Sequence, residues 1–247
     1  MQAHPKFKFI DYELNYGRPL IKSFIEKAYP TDAPAVVIDL GAGQGDDLSI
    51  VAHIHPNSKL YALETYKPYI EKLESKGISV FNCDLEKDKL PFDDESVDVI
   101  IMNQIMEHVK EVFWILHEVS RVLKPNGHFI VGVPNLGGLQ NRVLLLFGHQ
   151  PSIIKNNSAH VRGYTKADFV QLLYSGFPNG FKLLECKGSN FYPLPPLLAK
   201  PLAKIFPLMS WAIFMNFKKV NKYDGGFIEF PKRSGLETNF YTGENEK

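Results

Sequence analysis

Cysteine is nearly missing from this chain: two residues in 247, Cys83 and Cys186, far apart and each within a stretch that reads as a strand. That excludes a disulfide framework and any zinc-ligand spacing, and both thiols are expected in the interior. Excess charge of either sign is missing too. With 28 basic against 27 acidic residues the formal net charge is +1, and the basic residues are scattered rather than gathered in a stripe that could track phosphates. No nucleic acid is expected as the main partner. The chain also lacks a long apolar run, since the uncharged stretch from Ile205 to Phe217 is shorter than the ~20 residues of a membrane span. The opening "MQAHPKFKFI" has no apolar secretory core, so the expected localisation is cytoplasmic, with peripheral membrane contact as an addition. There is no low-complexity tract, and a hydrophobic fraction of 45% is enough to bury one α/β core.

What is present is an alternation. "AVVIDL" (35–40), "KLYALE" (59–64), "ISVFNC" (78–83), "VDVIIMN" (97–103) and "HFIVGVP" (128–134) are short, β-branched or aromatic runs, several apolar throughout as in strands buried on both faces. Helical spacing fills the gaps at Leu48–Ile54, Tyr69–Lys76 and Val112–Leu123. The pattern predicts βαβ units and an α/β fold, a Rossmann-like doubly wound, mostly parallel sheet. Ligands of such sheets sit beyond the carboxyl ends of the strands, and there the chain places "GAGQG".

Gly41, Gly43 and Gly45 follow the first strand at once, after Asp39, and their missing Cβ atoms would let the backbone turn sharply and come close to a ligand. The spacing is G-x-G-x-G, not the G-x-G-x-x-G that seats a pyrophosphate, and Asp46 and Asp47 come next. Carboxylates there would repel a diphosphate, which argues against a nicotinamide dehydrogenase. Glu64, at the end of the second strand, is placed to accept from two ribose hydroxyls. Asp84 and the Leu85 amide, after the third, could read an adenine edge. Taken alone, Glu64 could equally be a solvated strand end and Asp84 a turn former.

"VVIDLGAGQG", Glu64, "CDLEKDKLPFDDESVDVIIMNQIMEHV" and "HEVSRVLKPNGHFIVGVPN" resemble, in order and spacing, the successive motifs of class I S-adenosylmethionine-dependent methyltransferases. The resemblance runs from about Tyr12 to Phe177 and is nearest to the broad group that includes the ubiquinone-type O-methyltransferases. It implies S-adenosyl-L-methionine as cofactor and S-adenosyl-L-homocysteine as product. Asp39, Gly41, Ala42, Gly43 and Gly45 would lie at the methionine portion, Glu64 at the ribose, and Asp84 with Leu85 at the adenine. Asn103 and Gln104 would line the sulfonium side, and Arg18, in "NYGRPL", would pair with the cofactor carboxylate, with Tyr16 beside the acceptor.

Methyl transfer to a hydroxyl asks for position, a dry cleft and a base. His108 in "MEHV" and His160 in "AHVRGYT" are the candidates, because an imidazole can take a proton near neutral pH. For His108 a hydrogen-bonded pocket role stays open beside catalysis. Arg162 and Tyr164 could face the acceptor, with Arg162 suited to an anionic one. Some relatives bind a cation through E-x-x-E-H; here Gln104 stands at the first position, and a neutral amide is a poor ligand for a hard cation, so no metal is expected. Thr165, three residues before Asp168, predicts a helix N-cap.

By this reading residues 1–34 form an N-terminal cap segment, 35–187 the methyltransferase core, and 188–247 an apolar, proline-rich extension with a polar tail. A helix apolar on all sides must be buried or lie against lipid. For residues 190–219 three uses stay open: a lid packed over the acceptor pocket, a membrane or lipid contact, and a homodimer surface. The expected activity is transfer of the sulfonium methyl to a small-molecule acceptor, a hydroxyl oxygen on a saccharide- or lipid-linked compound. The alternative is a cofactor-binding module without catalysis that serves a partner protein.

Overall fold

The computed structural model describes residues 11–29, 34–236 and 240–243. Strands β1 (Val36–Leu40), β2 (Lys59–Leu63), β3 (Ser79–Phe81), β4 (Val97–Asn103) and β5 (Leu123–Pro134) pair in parallel, as their apolar runs require. Strands β6 (Phe181–Ser189) and β7 (Ala212–Lys219) complete one seven-stranded sheet of order β3-β2-β1-β4-β5-β7-β6, with β7 antiparallel to both neighbours. The chain leaves β1 to build β2 and β3 on one side and returns to build β4 and β5 on the other, so the switch point lies at the carboxyl end of β1.

Alternate residues of each strand feed two cores. One packs Val37, Val99, Ile101, Ile130 and Phe214 under α1 (Arg18–Ala28), α2 (Asp46–Ile54) and α3 (Lys67–Ser75). The other packs Ile38, Ile100, Phe129, Val131 and Met215 under α4 (Val112–Val122), α6 (Lys166–Gly176) and α8 (Gly226–Arg233). Two further helices, α5 (Leu139–Leu146) and α7 (Pro196–Ile205), lie at the carboxyl rim. Thr165 does cap α6, its Oγ1 accepting from the Asp168 amide at 3.2 Å. Cys83 is buried, Cys186 half-buried, and both are free.

The reading of 188–247 as an extension needs correction. Its apolar centre is no helix: Ala212–Phe217 is the interior strand β7, in register from His128↔Lys218 to Pro134↔Ala212. It is apolar on all sides because helices cover both faces of the sheet there, and periodicity cannot distinguish such a strand from a buried helix. Lipid contact and dimerisation are thereby closed to residues 212–217, which are buried. The N-terminal cap segment leans on the same strand. At Gly17, whose φ is +54°, an added Cβ would stand 2.3 Å from Cζ of Phe214.

Candidate functional site

A groove of about 190 Å³ opens at the switch point, bounded by Tyr16, Arg18, Asp39, Gly43, Asp47 and Asn103. Backbone bonds hold its floor: the Gly41 and Ala42 amides donate to the Leu63 carbonyl at 2.9 and 3.2 Å. The three glycines have different duties. All adopt left-handed φ, but a Cβ at Gly41 would meet Ile105 at 2.3 Å and one at Gly45 would meet Leu73 at 2.5 Å, whereas one at Gly43 would meet nothing within 4 Å. Gly41 and Gly45 therefore make room for the protein's own packing, and Gly43 alone faces open space.

Glu64 closes the adjoining wall. Its Oε2 accepts from the Gly43 amide and its Oε1 from the Thr65 and Tyr66 amides, each at 2.9 Å, so the carboxylate is fixed between β2 and the glycine loop. Asp84 is more peripheral. Its Oδ1 caps the turn through the Glu86 amide at 3.0 Å and its other oxygen lies 3.6 Å from Lys87, which is the turn-former role; Leu85 packs against the core.

The opposite end of the groove is acidic and short of donors. Burial, with Asp47, Glu64 and Asp46 nearby, pushes the carboxyl of Asp39 well above the carboxylate range. Burial also raises Asp47, against the Asn103 hydrogen bond and Arg18, which lower it. Asn103 donates from Nδ2 to Asp47 at 2.8 Å and to the Tyr16 carbonyl at 3.0 Å. The remaining oxygens, Oδ1 of Asp47 and Oδ1 of Asn103, are buried acceptors without a hydrogen bond among the described residues, although Arg18 Nε, likewise unbonded, stands 3.9 Å from Asp47 Oδ1. Such orphans cost about 1–3 kcal/mol each, and a ligand bearing N–H donors and positive charge would relieve them. The ammonium and sulfonium of S-adenosylmethionine have that chemistry, so these residues fit the expected cofactor.

Arg18 is in the groove wall but differently employed than expected. Its guanidinium bonds Glu13 at 2.6 Å and Asp46 at 2.9 Å through its two terminal nitrogens and lies over the Tyr16 ring at 4.8 Å, while its Nε makes no hydrogen bond among the described residues. Tyr16 itself lines this groove. Gln104 holds φ +59° with its amide nitrogen buried and unpartnered. Asp47 was missed as a site residue; its signal was present, because an acid that repels diphosphate attracts a cation.

Beyond Gln104 the chain turns through Glu107 and His108 towards the 159–164 segment. Val161 and Arg162 amides both donate to the Glu107 carbonyl, at 2.8 and 3.2 Å, bringing the two histidines together with ring centres 4.7 Å apart. Nδ1 of His108 meets the Ala159 carbonyl at 3.2 Å and Nδ1 of His160 the Ile153 carbonyl at 2.7 Å. With Nδ1 carrying the proton, each Nε2 keeps its lone pair. Burial, then His160, lowers the pKa of His108, and burial pushes Glu107 up to about 8. Donor atoms of Glu107, His108 and His160 lie within 4.8 Å of one another, so the fold brings His160 to a place where the local pattern had only Gln104.

Two acceptor-side candidates are held by the protein itself. Tyr164 is 5% exposed, packs edge-on against Phe169 and donates to the Met106 carbonyl at 3.4 Å, so it is a core residue. Arg162 donates to the Val109 and Lys110 carbonyls at 3.2 and 2.8 Å and pins the turn that carries His108.

Residues 38–131 match the family model for a methyltransferase domain. The chain is 25% identical over 152 residues to a probable S-adenosylmethionine-dependent methyltransferase of Mycolicibacterium smegmatis, covering 62% of this chain and 54% of that one. It is 25% identical over 165 residues to the malonyl-[acyl-carrier protein] O-methyltransferase of Marinomonas sp., covering 65% and 58%. The chain thus spans little more than half the length of these two curated relatives. Among solved structures, the methyltransferase complexed with the Haloferax volcanii Trm112 activator superposes with a TM-score of 0.61 at 16% identity, over 85% of this chain and 92% of that one. Residues 38–131 thus carry a methyltransferase-domain match, and the seven-stranded sheet with its glycine loop at the switch point shares the fold of that solved structure.

Proposed function

We propose that the chain transfers a methyl group from S-adenosylmethionine to a hydroxyl oxygen of a small acceptor, saccharide- or lipid-linked. The observation that carries this reading is the pair of orphaned acceptors, Asp47 Oδ1 and Asn103 Oδ1, beside the open face of Gly43. They would hold the cofactor's ammonium side, and Glu64 would meet the ribose. When bound, the cofactor supplies an electrophilic methyl on sulfur. It remains for the protein to orient the acceptor and receive its proton. Nε2 of His108 is suited to receive it, because Nδ1 is held on a backbone carbonyl and a lowered pKa favours the neutral ring, whose Nε2 lone pair is free. His160, against its ring edge, fixes the orientation. Burial favours the protonated form of Glu107, and Gln104 adds no charge, so activity is expected to survive chelation; loss of activity in chelator, restored by magnesium, would instead assign a cation to Glu107, His108 and His160.

Calorimetric titration with S-adenosylmethionine and with NAD tests the first half, with binding expected for the former alone. His108→Ala tests the second: unchanged cofactor affinity with turnover lost by about 100-fold or more is expected of a base. Loss of affinity instead would return His108 to a pocket role. Tight cofactor binding with no transfer to any hydroxylated acceptor would favour the non-catalytic module.

A further inference from the structure

Helices α5 and α7 are built inside out. A surface helix ordinarily turns its large apolar residues inward, as α1 does with Ile21, Phe24 and Ile25. In α5 the residue turned inward is Asn141, 4% exposed, which donates to the Asn135 carbonyl at 3.0 Å and accepts from the Ser152 amide at 3.0 Å. Leu139, Val143 and Leu146 face solvent at helical spacing, with Leu146 80% exposed and Phe147 71%. In α7 the inward residues are the small Ala199 and Ala203, while Leu197 is 84% exposed and Ile205 65%. The turn after α7 adds Phe206 and Leu208, also exposed.

The two helices are joined into one surface. Asn135 donates from Nδ2 to the Leu208 and Ser210 carbonyls, each at 2.9 Å, and a Cβ at Gly138, directly before α5, would stand 2.9 Å from the Ser210 carbonyl. Both lie at the rim where β5 ends and β7 begins, the carboxyl edge that carries the cofactor groove.

Charge identifies what covers this surface. Neither segment 119–167 nor segment 186–223 contains a single Asp or Glu. Arg142, Lys155, Lys200 and Lys204 are exposed, and among the described residues none pairs with a carboxylate. A groove of about 590 Å³ between α1, β6 and α7, walled by Leu14, Leu20 and Pro207 and edged by Lys200 and Lys204, continues the patch. A two-fold dimer on this face would set the unpaired cations of one copy against those of the other. No described helix is long and apolar enough to cross a membrane, and exposed leucines beside unpaired cations suit the plane of a lipid interface. We infer that α5, α7 and the turn after α7 form a docking surface for an anionic lipid bilayer, the leucines and Phe147 entering the acyl boundary and the four cations meeting lipid phosphates. The inference does not require methyl transfer and is read without cofactor.

Co-sedimentation of the full chain with phosphatidylcholine vesicles, with and without phosphatidylglycerol, tests this. Binding to the anionic vesicles that weakens with added salt is expected. Leu146→Gln with Phe147→Gln, and separately Leu197→Gln with Leu198→Gln, should each weaken it by roughly tenfold or more, because only exposed side chains change. Lys200→Glu with Lys204→Glu should remove the preference for phosphatidylglycerol. An unchanged thermal unfolding midpoint shows that each variant is folded. The inference is overturned if the wild type stays in the supernatant with both vesicle types, or if the glutamine variants sediment like the wild type. It is overturned equally if sedimentation equilibrium shows a dimer that Leu146→Gln with Phe147→Gln dissolves, which would put a second copy on this face.

Discussion

The two halves of the sheet are put together by different rules. In the parallel half, β3 to β5, each strand is followed by its helix or loop, and the candidate site residues sit one to three positions past the ends of their own strands: Gly43 after β1, Glu64 after β2, Gln104 after β4. In the antiparallel half the neighbours come from far apart, with β7 fitted between β5 and β6. The difference teaches that the parallel half is a local construction and the antiparallel half a long-range one. The two are nonetheless coupled at Phe214, whose ring fills the space beside Gly17 and Gly132 and so supports the segment that presents Tyr16 and Arg18.

The coupling can be broken outright. Phe214→Ala, at a fully buried ring, should cost about 3–5 kcal/mol in denaturant unfolding and also weaken cofactor binding as the Gly17 turn loses its support. A variant with normal affinity would separate the halves. Next, Gly43→Val should weaken S-adenosylmethionine binding by about 100-fold or more, because its side chain enters the open groove. Gly41→Ala sharpens the contrast: its Cβ would strike Ile105, so it should first lower stability, by ~2 kcal/mol. A stable Gly41→Ala would dissolve the distinction between packing and ligand glycines. Glu64→Ala should weaken cofactor binding by about 1–3 kcal/mol, through lost ribose bonds and a loosened loop.

A last test is read against pH at the turn that carries Glu107 and His108. Burial holds the Glu107 carboxyl up at about 8, far above its ordinary 4.5, so folding favours its protonated form. That contribution to stability is complete below 4.5 and is lost as pH rises through about 8. Glu107→Gln should flatten the decline in unfolding midpoint over that range, while a decline identical to the wild type's would mean that another group causes it.

Much of the parallel half was legible because its signals are short. Five apolar runs of strand length, separated by helical spacing, admit little but a doubly wound sheet, and a glycine triplet after the first strand can lie only at its carboxyl edge. The tail was not legible, since "SWAIFMNF" satisfies a helix buried on all sides as well as an interior strand, and no local residue chooses between them. Tyr164 shows the same limit. Its neighbours His160 and Arg162 invite an acceptor role, yet packing against Phe169 buries it.

The amino-acid sequence by itself determined the sheet class and the switch point with the glycine triplet at its edge, because these depend on the order and apolar character of successive short segments. Only the tertiary structure decided that the tail is the strand β7, that His108 reaches the Ala159 carbonyl 51 positions along the chain and so meets His160, and that α5 and α7 turn their leucines outward. Those outcomes depend on which distant surfaces compete for burial, and that competition is settled only when the whole core closes.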